Sequence, residues 1–360
     1  GGHVLPALEI ARRCQKAGYE VRWIGTEQGL ESRLVPKAGF AIDYLDISGL
    51  RGKGLLRKLT MPLRLIRAVI QARGYFKAHP VALVVGMGGY AAGPGGLAAA
   101  ISRIPLVIHE QNAVAGLTNR VLAQFARETF AAYPQAFPSS KTQVSVIGNP
   151  VRQEIAELPA PEVRFAERSG PVRVLVLGGS LGARAINELL PPALLELAKD
   201  LPLEVRHQCG ADHLKATQAH YDAADSDSQL KVRVEAFIDD MADAYAWADF
   251  VIARAGAMSV AEIATVGLSA LFIPFPYAVD DHQTQNAAFL AKAGGAEVID
   301  QSELNQQRLL SVLKPILSDR AGLLARAQAA RATVSGDVAE SLTRRMLTHA
   351  SVKTNAEVRS

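Results

Sequence analysis

The chain has 360 residues, 49% of them hydrophobic, a net charge of +4 and two cysteines. A length beyond the ~250 to 300 residues at which one core stops growing predicts two domains, while so small a charge fits anionic partners such as nucleotides or lipid headgroups and argues against nucleic acid. No run of about 18 apolar residues offers a membrane-spanning helix, and Cys14 and Cys209, far apart and without ligand-spaced partners, argue against a disulfide framework or thiolate metal site, as in a reducing compartment.

Gly1-Gly2-His3 reads as the end of a glycine loop, and a helix follows to Gly18. A first strand and the front of that loop are therefore expected to precede the residues given, with His3 at the helix start pointing toward the loop. Glu20 to Ile24 alternates as a strand. Residues 49–77 form an amphipathic helix in which Leu59, Leu63, Ile66 and Ile70 keep helical spacing among Arg51, Lys53, Arg57, Lys58, Arg64, Arg67, Arg73 and Lys77. It either packs on its own sheet or docks on an anionic surface.

Val81 to Val85 is a buried strand, followed by six glycines between Gly86 and Gly96 and a helix from Leu97 to Ile101. Pro105 to Ile108 is the next strand and delivers His109-Glu110-Gln111-Asn112 to its carboxyl edge, where α/β proteins bind ligands. Val144 to Ile147 leads into Gly148-Asn149-Pro150-Val151-Arg152. Residues 156–171 have linker composition, which places a domain boundary near Arg152.

The second half repeats the pattern. Strand Val172 to Leu177, glycine turn Gly178 to Arg184 and helix Ala185 to Leu197 open it; strands Leu203 to His207 and Lys231 to Ala236 follow. Strand and helix alternate throughout, so both halves read as doubly wound, Rossmann-like parallel sheets of the α/β class. The stretch 250–262 is a strand that meets Gly256 and turns at once into a helix, whose free amides suit an anion. Ser259 and Glu262 have capping-box spacing, and a box alone would need no ligand. The polar loop Asp280 to Asn286 after the next strand, Ala270 to Pro274, argues for a ligand at the same edge. The acidic pairs Asp239-Asp240 and Asp280-Asp281, and Asp225 with Asp227, lie in polar loops without converging hard ligands, so no metal is expected. Residues 304–350 read as helical and 351–360 as frayed.

The glycine turn at 178 invites a dinucleotide reading, but the strand that should end on an acidic residue ends His207-Gln208-Cys209. Taken together, Gly1-Gly2-His3, Gly86 to Gly96, His109 to Asn112, Gly148 to Arg152, Gly178 to Arg184 and Ala257 to Glu262 resemble the MurG family, glycosyltransferases of the B-type (GT-B) fold. The resemblance runs over nearly the whole chain. It implies two domains facing across a cleft: 1–152 for the acceptor and membrane, 153–335 for the UDP-sugar donor, and a helix 336–350 packing back on the first. It further implies inverting transfer of N-acetylglucosamine from UDP-N-acetylglucosamine to the C4 hydroxyl of an undecaprenyl-linked muramyl-pentapeptide. The setting would be peptidoglycan synthesis at the cytoplasmic face of the bacterial inner membrane, without cofactor or metal and beside cell-wall assembly proteins.

By the same resemblance, Ile238 offers backbone groups to uracil and Glu262 binds the ribose. Ala257, Met258 and Ser259 hold the α-phosphate, with Val260 and Ala261 in the same turn and Ser180 and Arg152 lining the site. Gln283 and Asn286 contact the sugar; His282 stands beside them where the family pattern has a second Gln. Gly1, Gly2 and Asn112 border the donor from the other domain. His3 is the first candidate base and Glu110 the second, and Leu59, Leu63, Ile66 and Val69 form the membrane patch. A UDP-N-acetylglucosamine 2-epimerase or a non-catalytic nucleotide-sugar-binding protein are the alternatives.

Overall fold

The computed structural model describes residues 2–47, 55–138, 143–179, 182–222, 229–278 and 281–350, and of residues 55–60 the backbone alone. Contacts gather the chain into two compact units, Gly1–Arg152 with Asp337–Ser360, and Gln153–Gly336.

In the first unit β1 (Arg22–Gly25) pairs in parallel with β2 (Ala41–Tyr44). A second parallel sheet carries β3 (Val84–Gly86), β4 (Leu106–Glu110), β5 (Glu128–Ala131) and β6 (Val144–Val146) in chain order. All five residues of β4 are buried, as a strand covered on both faces requires. β4 runs two residues further than its apolar run, so His109 and Glu110 are strand residues rather than loop residues. The glycine-rich stretch also divides differently from expectation. A helix begins at Ala92 and takes in Gly93, Pro94, Gly95 and Gly96. Gly96 is there for packing: a Cβ on it would lie 2.6 Å from a Leu122 methyl. The helix Val338–Leu347 packs on the helix Val4–Lys16, burying Leu342 and Met346 with Ile10, Cys14 and Phe130, while Arg13 pairs with Asp337 and Glu340.

The second unit holds β7 (Val172–Leu177), β8 (Leu203–Gln208), β9 (Leu230–Glu235), β10 (Phe250–Ala253), β11 (Ser269–Phe272) and β12 (Ala296–Val298). Their order is β12-β11-β10-β7-β8-β9, all parallel. The chain builds outward from β7 to β9, then crosses back and builds the other way from β10. Between β7 and β10 the two directions part, and that is where a doubly wound sheet opens a ligand crevice.

The presumed linker 156–171 is docked structure. Pro161 starts a short helix to Phe165, and Arg164 reaches the carbonyls of Val266 and Gly267. Arg168 donates to the carbonyls of Trp247 and Ala246 and pairs with buried Asp249 at 3.2 Å. Composition marks such a stretch as polar; paired guanidinium groups fasten it.

Candidate functional site

In the second unit, β10 passes through Arg254-Ala255-Gly256 into the helix Ala257–Val266. Gly256 is the N-cap, in extended conformation, with no side-chain cap bond. The amides of Ala257, Met258 and Ser259 thus open the helix at the switch-point edge, where free N–H groups and the helix dipole favour an anion. The capping box expected from Ser259 and Glu262 does not form, because Ser259 is the third helical residue. Glu262 is buried instead and accepts from the Tyr245 hydroxyl at 3.1 Å. Val260 and Ala261 lie in the same first turns, Val260 buried and Ala261 partly so.

Asn286, fully buried, donates to the Ala255 carbonyl at 3.2 Å, and Gln283 accepts from the Phe275 amide at 3.0 Å. Both amides therefore tie the helix His282–Lys292 to the loops after β10 and β11. Arg254 completes this joint: it donates to the carbonyls of Ile273 and Pro274 and to Gln301, beneath the Phe275 ring. Ile238 is buried just past the end of β9. Of the acidic residues, Asp240 caps the helix Met241–Trp247 and Asp281 accepts from Thr284. The glycine turn after β7 lies against the end of β8. Gly182 has φ +74°, and a Cβ there would fall 2.2 Å from the Cys209 carbonyl oxygen. Ser180 lies outside the described residues, as does Gly1.

In the first unit His3 occupies the N-cap position of the helix Val4–Lys16 without a side-chain cap bond, and its Nδ1 lies 2.8 Å from Gln111 Oε1. The turn Gly88-Gly89, with φ +85° and +83°, passes so close that a Cβ on Gly88 would come within 2.9 Å of that nitrogen. Glu110, the second candidate base, has both carboxylate oxygens engaged. Its Oε1 accepts from the Asn112 amide and side chain at 3.0 and 3.2 Å, and its Oε2 from the Gly116 amide at 3.2 Å and Asn119 Nδ2 at 2.8 Å. Four donors on this buried carboxylate shape the loop 112–119. Asn112 thus has its side chain turned toward Glu110. Gly2 is exposed and Arg152 half-buried at the end of the unit.

On the helix Leu55–Ala78, Leu63, Ile66 and Ile70 are 66%, 54% and 62% exposed, on one face beside exposed Arg64 and Arg67. Val69 does not belong to that face: it packs partly buried against Ala68, Ala72 and Leu45, and Ile70 stands in its place. The side chain of Leu59 lies outside the described residues.

Gln111, His109, Tyr245 and Arg254 went unremarked as individual positions in the sequence. The only signal for the first two was their place in the run His109 to Asn112, since hydrogen bonding across 39 or 108 residues leaves no local pattern.

Residues 1–131 match the glycosyltransferase family 28 N-terminal domain and residues 173–342 the family 28 C-terminal domain. A Burkholderia vietnamiensis protein named UDP-N-acetylglucosamine--N-acetylmuramyl-(pentapeptide) pyrophosphoryl-undecaprenol N-acetylglucosamine transferase is 49% identical over 344 residues, 96% of this chain and 92% of that protein. A relative of the same name from Aeromonas hydrophila is 47% identical over 340 residues, 94% of this chain and 92% of its own. Among solved structures, Acinetobacter baumannii MurG aligns with TM-score 0.84 and 42% identity, covering 97% of this chain and 96% of that one. The UDP-N-acetylglucosamine 2-epimerase of Neisseria meningitidis, at 12% identity and TM-score 0.66 over 96% of this chain and 97% of that one, shares the fold alone. With two parallel-sheet α/β units, an anion seat at the switch point and both domain models matched in order, this chain belongs to glycosyltransferase family 28.

Proposed function

We propose that this protein transfers N-acetylglucosamine from UDP-N-acetylglucosamine to the C4 hydroxyl of an undecaprenyl-linked muramyl-pentapeptide, inverting the anomeric carbon. The observation that carries the donor half is the helix front at Gly256, with Glu262 withdrawn from any capping duty. The diphosphate rests on the amides of Ala257 to Ser259, and Glu262, held by Tyr245, meets the ribose. Asn286 and Gln283 shape the loops that receive the sugar, and Ile238 presents backbone groups to the base.

In the reaction the acceptor oxygen bonds to the anomeric carbon as the bond to the diphosphate oxygen breaks. The electron pair leaves on UDP and the hydroxyl proton goes to His3. A helix N-terminus stabilises the departing anion by about 0.3 to 1 kcal/mol, up to ~2 when partly buried. Arg152 adds a charge-assisted hydrogen bond, and a positioned base contributes a further ~10² to 10⁴ in rate.

No helix among the described residues is long and apolar enough to cross a membrane. The acceptor's lipid is met instead by Leu63, Ile66 and Ile70 with Arg64 and Arg67, docking peripherally at the cytoplasmic face of the inner membrane. Each basic side chain near an anionic leaflet contributes ~1 kcal/mol. The test is transfer of labelled sugar from UDP-N-acetylglucosamine to a short-chain lipid-linked muramyl-pentapeptide, with and without chelator. Product formed equally in both supports the reading; epimer without transfer, or dependence on added divalent ion, refutes it.

A further inference from the structure

His3 stands at the end of a chain of hydrogen bonds in which every donor and acceptor can be assigned. The chain begins at the Gly148 carbonyl, which can only accept. His109 Nε2 lies 2.8 Å from it and therefore carries a proton. His109 is fully buried, and that burial lowers its pKa to about 4, so the ring is neutral and its Nδ1 holds a lone pair. Gln111 Nε2 sits 3.2 Å from this Nδ1 and 3.2 Å from the His109 backbone carbonyl. Two acceptors at one end of the amide demand its NH₂ there, because a flipped amide would set oxygen against both. Gln111 Oε1 must then face His3, and an amide oxygen accepts only. At 2.8 Å, His3 Nδ1 is the donor.

We infer that His109 and Gln111 are positioning residues that hold His3 in the tautomer with its lone pair on Nε2, ready for the acceptor hydroxyl. This deepens the reading of His3 as the base and rests on it. Gly88 belongs to the same device, since any side chain there would push the His3 ring off Gln111. During transfer the hydroxyl proton moves to Nε2. The imidazolium keeps its Nδ1–H on Gln111 Oε1, and that bond strengthens as the ring becomes charged. Without Gln111 the ring is free to place its proton on Nε2, where no proton can be taken.

The test is a long-range ¹H–¹⁵N correlation spectrum of the full chain labelled at its histidines, recorded near pH ~8, above the ordinary imidazole range. His3 is assigned by its loss in His3→Ala. The expected wild-type result is a protonated Nδ1 and an unprotonated Nε2 for His3, with the reverse for His109. Gln111→Met is expected to give His3 mixed tautomers and to lower kcat roughly ten- to hundredfold, less than the full ~10² to 10⁴ a positioned base supplies because the base itself remains, at unchanged donor KM. A wild-type His3 protonated at Nε2 overturns the inference, and this spectrum needs no variant of Gln111 to fold. Transfer at the wild-type rate by His3→Ala overturns the base itself, and with it the functional half of the inference. An inactive His3→Ala beside a wild-type Nε2–H ring refutes the hydrogen-bonded chain alone.

Discussion

Acid should destabilise the second unit through His207 before its carboxylates titrate. The ring is fully buried between Tyr221, whose hydroxyl lies 3.0 Å from Nδ1, and Asn187, whose Oδ1 lies 3.1 Å from Nε2. Burial lowers its pKa from 6.5 to about 3. A histidine with a lowered native pKa leaves stability intact above its unfolded pKa. Between 6.5 and 3 the unfolded chain takes up a proton that the native chain refuses, so stability falls with pH. The slope is about 1.4 kcal/mol per pH unit for one proton, hence roughly 2 kcal/mol lost between pH 7.5 and 5. Against a usual total of ~5 to 15 kcal/mol this is readily measured. Urea unfolding at fixed ionic strength, followed by Trp247 fluorescence in a Trp23→Phe background, reads the second unit alone. His207→Gln offers Asn187 a donor and Tyr221 an acceptor without titrating. It should start lower at pH 7.5 and lose about 2 kcal/mol less than the parent by pH 5. Equal losses in the two proteins would show that His207 is not the source.

Further outcomes follow from the same geometry. Glu262→Ala should raise the KM for UDP-N-acetylglucosamine roughly ten- to hundredfold, the size of a lost hydrogen bond to a charged group; steady-state kinetics with varied donor would detect it. Ser259→Ala should leave the urea midpoint unchanged, because Gly256 is the N-cap, whereas loss of a true cap would cost about 1 kcal/mol. Gly182→Ala should lower the urea midpoint by the equivalent of ~1 to 3 kcal/mol, from a forced positive φ and collision with the Cys209 carbonyl. Changing Leu63, Ile66 and Ile70 together to Ser should abolish sedimentation with anionic vesicles at unchanged Tm. Equal pelleting would remove that face from the membrane reading.

The fold class was legible because strand and helix alternate along the chain, and that alternation is a local property of the sequence. Val172–Leu177 coincides with the expected strand, Leu203–Gln208 runs one residue beyond it, and Leu230–Glu235 is shifted by one residue at both ends. Likewise the glycine joint at 256 and the polar run after Ile108 stood out as candidate ligand edges, since glycine and clustered amides are costly in a core without reason. The spacing of Ser259 and Glu262 could not decide between a cap and a helix interior. That choice depends on where the chain stops being extended, which the register of β10 against β7 and β11 settles at Gly256. Nor could a helical repeat say which of Val69 and Ile70 meets the core, because the two lie side by side and only the neighbouring elements choose between them. The partners of Glu110, read from sequence as the second candidate base, were hidden for the same reason: its donors at Gly116 and Asn119 come from a loop folded back over it. Sequence thus determined the fold class and the family. Which side chains are engaged at the candidate edges, and which way a ring holds its proton, was decided by partners far along the chain, because hydrogen bonds depend on distances that only the folded molecule sets.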